Sequence, residues 1–136
     1  QCATPSGKWL GNTESLLDEN DARYLRELRA KYPLIRRDVY STPGSIGGCP
    51  AITGSLFLIS TGDVMPCLFI HTSLGNVLQE SLAVIRDRGL RIPEFNEYSS
   101  VCLAGEDCPF FRHYMTQTFG ESAFPIPYQK IYGKLE

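Results

Sequence analysis

Four cysteines in the middle of the chain are the residues whose type and spacing best support chemistry. Cys49 and Cys67 follow the spacing Cys-x12-Gly-x4-Cys, with Gly62 between them, and Cys102 and Cys108 follow Cys-x5-Cys. Thiolates are ligands for soft metals, and a bound metal lowers the pKa of the thiols that hold it. The pKa of the Cys108 thiol is expected to be lowered further by the helix dipole, because Cys108 is expected at a helix N-terminus. Four thiolates that converge from a hairpin and a later loop would hold one metal cluster.

The number of cysteines bears on the compartment and on the kind of metal. Five is an odd number, which argues against a complete disulfide framework, and the start of the sequence shows no secretion signal. We therefore expect a reducing, cytoplasmic environment, with Cys2 as a bystander. Structural zinc is the competing interpretation, but zinc sites usually contain C-x2-4-C knuckles, and the sequence has none.

The composition is that of an ordinary globular domain. The chain has 136 residues, of which 43% are hydrophobic and 21% charged, so disorder is not expected. Its net charge is -2 and its longest basic run is Arg36-Arg37, so we expect no nucleic-acid partner. No apolar segment approaches the roughly 20 residues of a membrane span, and we expect no membrane partner. Because the sequence begins with Gln1, we expect it to be cut from a longer chain.

The first part of the chain has the pattern of a βα-type unit. Apolar residues recur at helical spacing between Leu16 and Pro33, with Asp18 as the expected N-cap. Residues 34–40 have the pattern of a strand. One such unit cannot bury its own apolar faces, so it is expected to end a larger α/β domain. The segment rich in Gly, Ser and Pro that begins at Ser41 indicates a boundary.

The remaining elements are short. Residues 55–60 and 64–70 are predicted strands joined by a tight turn at 61–63, which together make a hairpin. Residues 74–90 are predicted to be a helix capped by Asn76, with Gly89 as its C-cap residue. A further helix is predicted after Cys108, with Pro109 at its first position. The tail, 116–136, is expected to be irregular.

The middle of the chain resembles the auxiliary-cluster domains of radical SAM enzymes, called SPASM in full form and twitch in truncated form. Their opening pattern, C-x9-15-G-x4-C, is met by Cys49, Gly62 and Cys67, and the segment "LGNVLQESL" is also similar to the family. The resemblance covers residues 47–113 and extends more loosely to a radical SAM partial barrel upstream. It implies an α+β fold, with a small hairpin and helices around a cysteine-ligated cluster, preceded by a βα remnant of a partial TIM-type barrel. The expected domains are a barrel remnant at 1–40, a twitch/SPASM-like domain at 41–115 and the tail at 116–136.

The departures from the family reduce the number of ligands. A full SPASM domain continues C-x2-C-x5-C-x3-C and then has one more cysteine, whereas Ser99 and Arg112 stand at the first and last of those four positions here. The x5 spacing also differs from the C-x2-C with which a twitch domain more commonly closes. The resemblance then implies one auxiliary [4Fe-4S] cluster on Cys49, Cys67, Cys102 and Cys108. The C-x3-C-x2-C loop of the SAM-cleaving cluster is absent from the sequence. S-adenosylmethionine and a second cluster are therefore expected only in the parent enzyme.

The implied role is that of an accessory to an oxidative reaction on a peptide or a small metabolite. Four protein thiolates leave no open iron site and favour electron transfer, whereas an incomplete set would let iron bind substrate. The rest of the barrel is the expected partner, and the chain alone is not expected to be a complete enzyme. The alternative is a zinc-stabilised binding module without enzymatic activity.

A few other side chains are candidates for supporting roles. Hydrogen bonding or charge from three residues is expected to tune the site, although a structural role competes for each: His71, Arg112 and His113. Asp63 is interpreted as a turn former. An aromatic cover over the site is predicted from Phe110, Phe111 and Tyr114.

Overall fold

The structure is a computed structural model that describes residues 7–9, 11–14, 16–35 and 48–135. Its α-helices are α1 (Glu19–Lys31), α2 (Leu82–Leu90), α3 (Cys108–Tyr114) and α4 (Tyr128–Tyr132). Its strands are β1 (Phe57–Leu58), β2 (Asp63–Met65), β3 (Thr72–Ser73), β4 (Gly75–Asn76) and β5 (Ile126–Pro127). Short 3-10 helices are at Gly7–Trp9, Pro93–Phe95 and Met115–Thr118. The fold is α+β, as predicted.

Helix α1 confirms the prediction made from its caps. The Asp18 side chain accepts hydrogen bonds from the N–H groups of Asn20 and Asp21, at 2.7 and 2.8 Å, and the Asp21 carboxylate accepts the Asp18 N–H in return. Acids in the first turn and bases in the last match the helix dipole. Ala22 is the buried position of the helix, so α1 covers the rest of the domain with a narrow apolar face.

The predicted hairpin is present, with shorter strands than expected. Val64 of β2 pairs antiparallel with Leu58 of β1 on one side and with Gly75 of β4 on the other. Gly62 in the turn has a φ of +89°, and a Cβ there would lie 2.6 Å from the side-chain oxygen of Asn76. Strand β2 ends at Met65 because the chain then turns back, with the Ile70 N–H donating to the Cys67 carbonyl.

The helix predicted for 74–90 begins only at Leu82, so its predicted caps were wrong. Asn76 lies in β4, where its side chain accepts the Leu78 N–H at 2.9 Å and donates to the Thr61 carbonyl at 3.0 Å. These hydrogen bonds hold the segment around Asn76 against the hairpin. The helix therefore begins later than predicted, with Ser81 as its N-cap. Gly89 lies inside the helix, where a Cβ would approach Ile52 to 2.6 Å, so it serves close packing.

The tail is more regular than predicted. Strand β5 pairs in parallel with β3, with Thr72 opposite Ile126, and α4 follows directly. Ile126 and Ile131 are buried, at 2% and 8% exposure. The tail therefore completes the core, whose least exposed large side chains include Ile52, Val64, Leu74, Ile85, Ile92 and Phe95.

The remnant of a partial TIM-type barrel is not supported. Most of the strand predicted for 34–40, and the linker at 41–47, lie outside the described residues. Leu34 is in a turn and Ile35 is in neither sheet. Among the described residues, the parallel pairing between strands joins β3 to β5, far along the chain from α1. In the described parts of the chain, every helix is too short or too polar to span a membrane.

Candidate metal centre

Cys49 is held in the core by backbone pairing with the segment around Ser99. Its N–H donates to the Ser99 carbonyl at 2.8 Å, and its side chain is only 3% exposed. Gly48 makes this approach possible, because it has a φ of +103° and a Cβ there would lie 2.3 Å from the same carbonyl oxygen. The fold thus places Cys49 directly beside Ser99, at whose position the resemblance predicts a cysteine.

Cys67 lies in the turn after β2 with its sulfur against backbone donors. The Phe69 N–H donates to the Cys67 sulfur at 3.2 Å. Burial raises the pKa of the Cys67 thiol, the N–H groups of Phe69 and Ile70 lower it in part, and nearby Cys49 raises it further. Cys49 belongs to the buried core cluster, and Cys67 packs against that cluster. N–H groups aimed at a sulfur favour its thiolate form, the form that binds metal.

Cys102 opens a tight loop that leads to α3. Its carbonyl accepts the N–H groups of Gly105, Glu106 and Asp107, and its own N–H donates to the Glu106 carboxylate at 3.1 Å. That carboxylate is fully buried and paired with Arg29 of α1 at 2.5 Å. Cys102 packs against the same buried cluster that contains Cys49. The loop is thus fixed from inside by one ion pair to α1.

Cys108 lies on the other side of this loop, at the first position of α3. Pro109 follows it, one place later in the helix than predicted. The Cys108 sulfur is 3.8 Å from the Leu17 carbonyl oxygen. Burial raises the pKa of the Cys108 thiol, Arg112 lowers it, and the acids Glu19, Asp107 and Asp18 raise it. The thiol lines a cavity of about 270 Å³ between α3 and the segment that precedes α1.

The four predicted ligands lie in two places in the structure: Cys49 is in the buried core cluster with Cys67 and Cys102 packed against it, and Cys108 is at the start of α3 beside Leu17. Among the residues that the structure describes, no group of three or more His, Cys, Asp or Glu side chains is arranged to hold a metal ion. Cys49 and Cys67 fit a cluster by donor chemistry, by burial and by the backbone donors around sulfur. The assignment of all four thiols to one cluster stays a prediction, and Cys2 lies outside the described residues.

The three residues predicted to support the site are dispersed. His71 packs edge-on against Phe124, with ring centroids 5.5 Å apart, and burial lowers its pKa. Arg112 is 3.6 Å from Glu19 on the surface, near Cys108. His113 is exposed and packs against Tyr114 at 4.4 Å. Their roles at a cluster stay predictions.

Sequence reasoning gave no role to a polar cluster beside the core. The Tyr114 hydroxyl donates to one oxygen of Glu94, while the other oxygen is buried without a hydrogen-bond partner. The Tyr132 hydroxyl is likewise buried and unpartnered. Burial raises its pKa, and the charges of Glu94, Tyr114 and Cys67 raise it further, while the adjacent Thr72 lowers it. The aromatic content of the tail is a weak sequence signal for this cluster. The buried pairing of Glu106 with Arg29 had no signal in the sequence.

Comparison with known families agrees with the cysteine pattern. Residues 49–109 match the model of the SPASM family, described as an iron-sulfur cluster-binding domain. The match supports a SPASM-type domain over these residues, a class that binds iron–sulfur clusters and is typically auxiliary to radical SAM enzymes. Neither the curated proteins nor the solved structures yielded a match to the chain.

Proposed function

We propose that this chain carries the auxiliary iron–sulfur site of a radical SAM enzyme, with one [4Fe-4S] cluster anchored by Cys49 and Cys67. The remaining thiolates of the proposed set are Cys102, which packs against the same core, and Cys108, at the start of α3. The observation that carries the proposal is the position of Cys49 in the buried core cluster with Cys67 and Cys102 packed against that cluster, within the segment that matches the SPASM model.

The surroundings of Cys49 and Cys67, here called the core pair, suit an electron-transfer site. When bound, the cluster supplies one-electron transfer at a potential set by burial and by hydrogen bonds to sulfur. The Phe69 N–H on the Cys67 sulfur stabilises negative charge there, and the low exposure of Cys49 keeps water away. These features favour acceptance of an electron over direct binding of substrate.

The parent enzyme supplies what this chain does not contain. It would contribute the barrel, S-adenosylmethionine and the SAM-cleaving cluster, and it would oxidatively modify a peptide or a small metabolite. A reducing compartment such as the cytoplasm suits thiols of this kind.

Anaerobic loading with iron and sulfide tests the proposal. We expect about four irons and four sulfides per chain and a brown charge-transfer band that dithionite bleaches, as for a [4Fe-4S] centre. Iron, sulfide and zinc are measured on the same sample. A colourless protein that carries one zinc would instead support the zinc-stabilised module and contradict the proposal.

A further inference from the structure

Helix α1 carries an exposed set of side chains that faces away from the buried side of the helix. The buried side is defined by Ala22, which is 1% exposed, and by Arg29, which pairs with the buried Glu106. Tyr24 follows Ala22 by two residues, which is about 200° around a helix, and it is 61% exposed. Leu28 lies one turn further along and is partly exposed. Exposed aromatic and aliphatic side chains that are neighbours on a helix are typical of an interface.

The order of residue types on this face is symmetric about its centre. Asp21, Tyr24, Leu28 and Lys31 are separated by three, four and three positions, so all four lie on one face of α1, here called the α1 stripe. Asp21 and Lys31 are both exposed. The order along the α1 stripe is therefore acid, apolar, apolar, base. An antiparallel copy of the helix would place Asp21 opposite Lys31 and Tyr24 opposite Leu28.

This symmetry meets the condition for a two-fold interface. In such an interface a surface patch contacts its own copy, so every contact occurs twice and the patch must be complementary to itself. Contacts between Asp21 and Lys31 supply the charge complementarity. The antiparallel orientation also sets the acidic first turn of α1 beside the basic last turn of its copy. A face with charges of one sign would instead repel its copy.

We propose that the α1 stripe is a self-association surface, on which a second copy of this chain docks its own α1 in the antiparallel direction. The inference goes beyond the iron–sulfur site and does not depend on it. Tyr32 and Leu34, which are 47% and 91% exposed, follow the α1 stripe and extend the apolar surface. A contact between two 13-residue helices is smaller than the roughly 1,200–2,000 Å² of a stable interface, so we expect a weak dimer with a Kd on the order of micromolar.

Analytical ultracentrifugation of the full chain tests the proposal, with reductant present to prevent disulfide-linked dimers. Between about 10 and 500 µM, the wild-type chain should change from monomer to dimer. Lys31→Glu and Asp21→Lys each place like charges opposite each other, so each should raise the Kd at least about tenfold. An equimolar mixture of the two variants should dimerise like wild type, because both unlike pairs are then restored between the two chains.

The mixture separates association from folding. Asp21→Lys also removes the hydrogen bond from the Asp18 N–H, so circular dichroism is used to compare the helix content of each variant with that of wild type. A variant that had lost its fold would not recover dimerisation on mixing. Recovery therefore reports the contact between Asp21 and Lys31 and not the stability of either chain.

Matched controls separate the α1 stripe from the rest of the surface. Arg23→Glu reverses a charge on the same helix but outside the α1 stripe, where Arg23 donates to Asn20 at 2.8 Å. Tyr24→Ser removes the aromatic contact and should raise the Kd at least about tenfold. Leu78→Ser is its control, because Leu78 is 82% exposed outside α1. Both controls should stay within about twofold of wild type.

The outcomes distinguish this proposal from the proposed function. A wild-type chain that stays monomeric at the highest concentration overturns self-association, and the α1 stripe then meets a different occupant. A mixture of the two charge variants that stays monomeric overturns it as well, and so does equal weakening by Arg23→Glu and Lys31→Glu. Each result is obtained without iron, so none of them contradicts the iron–sulfur site.

Discussion

The core pair and the 102–108 loop supply two cysteines each, but they position them by different means. Cys49 and Cys67 are set by strand pairing and a turn within the hydrophobic core, with a backbone N–H on the Cys67 sulfur. Cys108 is set by the start of a helix, next to a cavity and to charged side chains of the α1 region. The first arrangement shields the sulfurs by burial and aims a backbone donor at Cys67, whereas the second leaves a thiol at a polar boundary.

This difference indicates which part of the site is built in advance. The backbone at the core pair is fixed by isolated bridges, from Cys49 to Ser99 and from Cys67 to Ile70. The loop is held by one buried carboxylate, Glu106, whose partner Arg29 comes from a helix 77 residues earlier. The position of the loop therefore depends on that contact with α1.

Removal of single cysteines gives the largest expected effect. Cys67→Ser should lower the iron bound after anaerobic loading by at least about tenfold, the size seen when groups that merely support a ligand are lost. Cys108→Ser should retain more iron than Cys67→Ser, because the core pair stays intact. Cys2→Ser is the matched control and should load like wild type. Equal loss of iron in Cys67→Ser and Cys108→Ser would show that the two regions act as one preformed site. That result would contradict the difference described between the core pair and the 102–108 loop.

Local rules explain which parts were predictable from the sequence. The Asp18 cap and the Gly-Asp turn act within a few residues, so α1 and the hairpin were predicted correctly. The late start of α2 depends on the pairing of β4 with β2, and the order of the tail depends on the pairing of β5 with β3. Such long-range pairings have no local signal, and neither does the Arg29–Glu106 pair.

The same limit applies to the cysteines. Residue type and spacing identified the kind of ligand and agree with the family match, because thiolate chemistry depends on the residues themselves. Spacing did not indicate that Cys108 would lie beside Leu17. Which side of the loop a sulfur faces depends on how α1 packs.

Loss of the buried ion pair is expected to have the next largest effect. Glu106→Gln leaves Arg29 unpaired, so we expect a loss of about 3 kcal/mol in the free energy of unfolding. The matched control is Glu19→Gln, which removes an exposed pair with Arg112 at 3.6 Å and should cost less than about 1 kcal/mol. Urea denaturation of the metal-free proteins measures both. Similar small losses in the two variants would mean that α1 does not anchor the loop.

The hairpin that carries Cys67 can be tested through its turn glycine. Gly62 and Gly120 have similar positive φ values, +89° and +85°, but a Cβ meets Asn76 only at Gly62 and finds open space at Gly120. Gly120→Ala should therefore cost about 1 kcal/mol from backbone strain alone. Gly62→Ala should cost about 2 kcal/mol, because the Asn76 hydrogen bonds are displaced as well. Thermal and urea unfolding give the comparison, and equal costs would rule out the steric contribution at Gly62.

Tyr114 connects the two regions, since it lies on the helix that begins at Cys108 and packs against Tyr132. Burial, followed by the hydrogen bond to Glu94 and its charge, raises the pKa of Tyr114 from 10.0 to about 12. The folded state therefore favours the neutral phenol, and this stabilisation is complete below pH 10 and is lost as the pH rises toward 12. Tyr114→Phe should cost about 1 kcal/mol at pH 8, because one Glu94 oxygen loses its donor.

The cost of Tyr114→Phe should shrink when the same unfolding measurement is repeated at pH 11, inside that window. Tyr24→Phe serves as the control, because Tyr24 is 61% exposed on α1 and its hydroxyl contributes little at either pH. A cost for Tyr114→Phe that is the same at both pH values would mean that the Tyr114–Glu94 contact does not stabilise the neutral phenol. The aromatic connection between α3 and the core pair would then rest on ring packing alone.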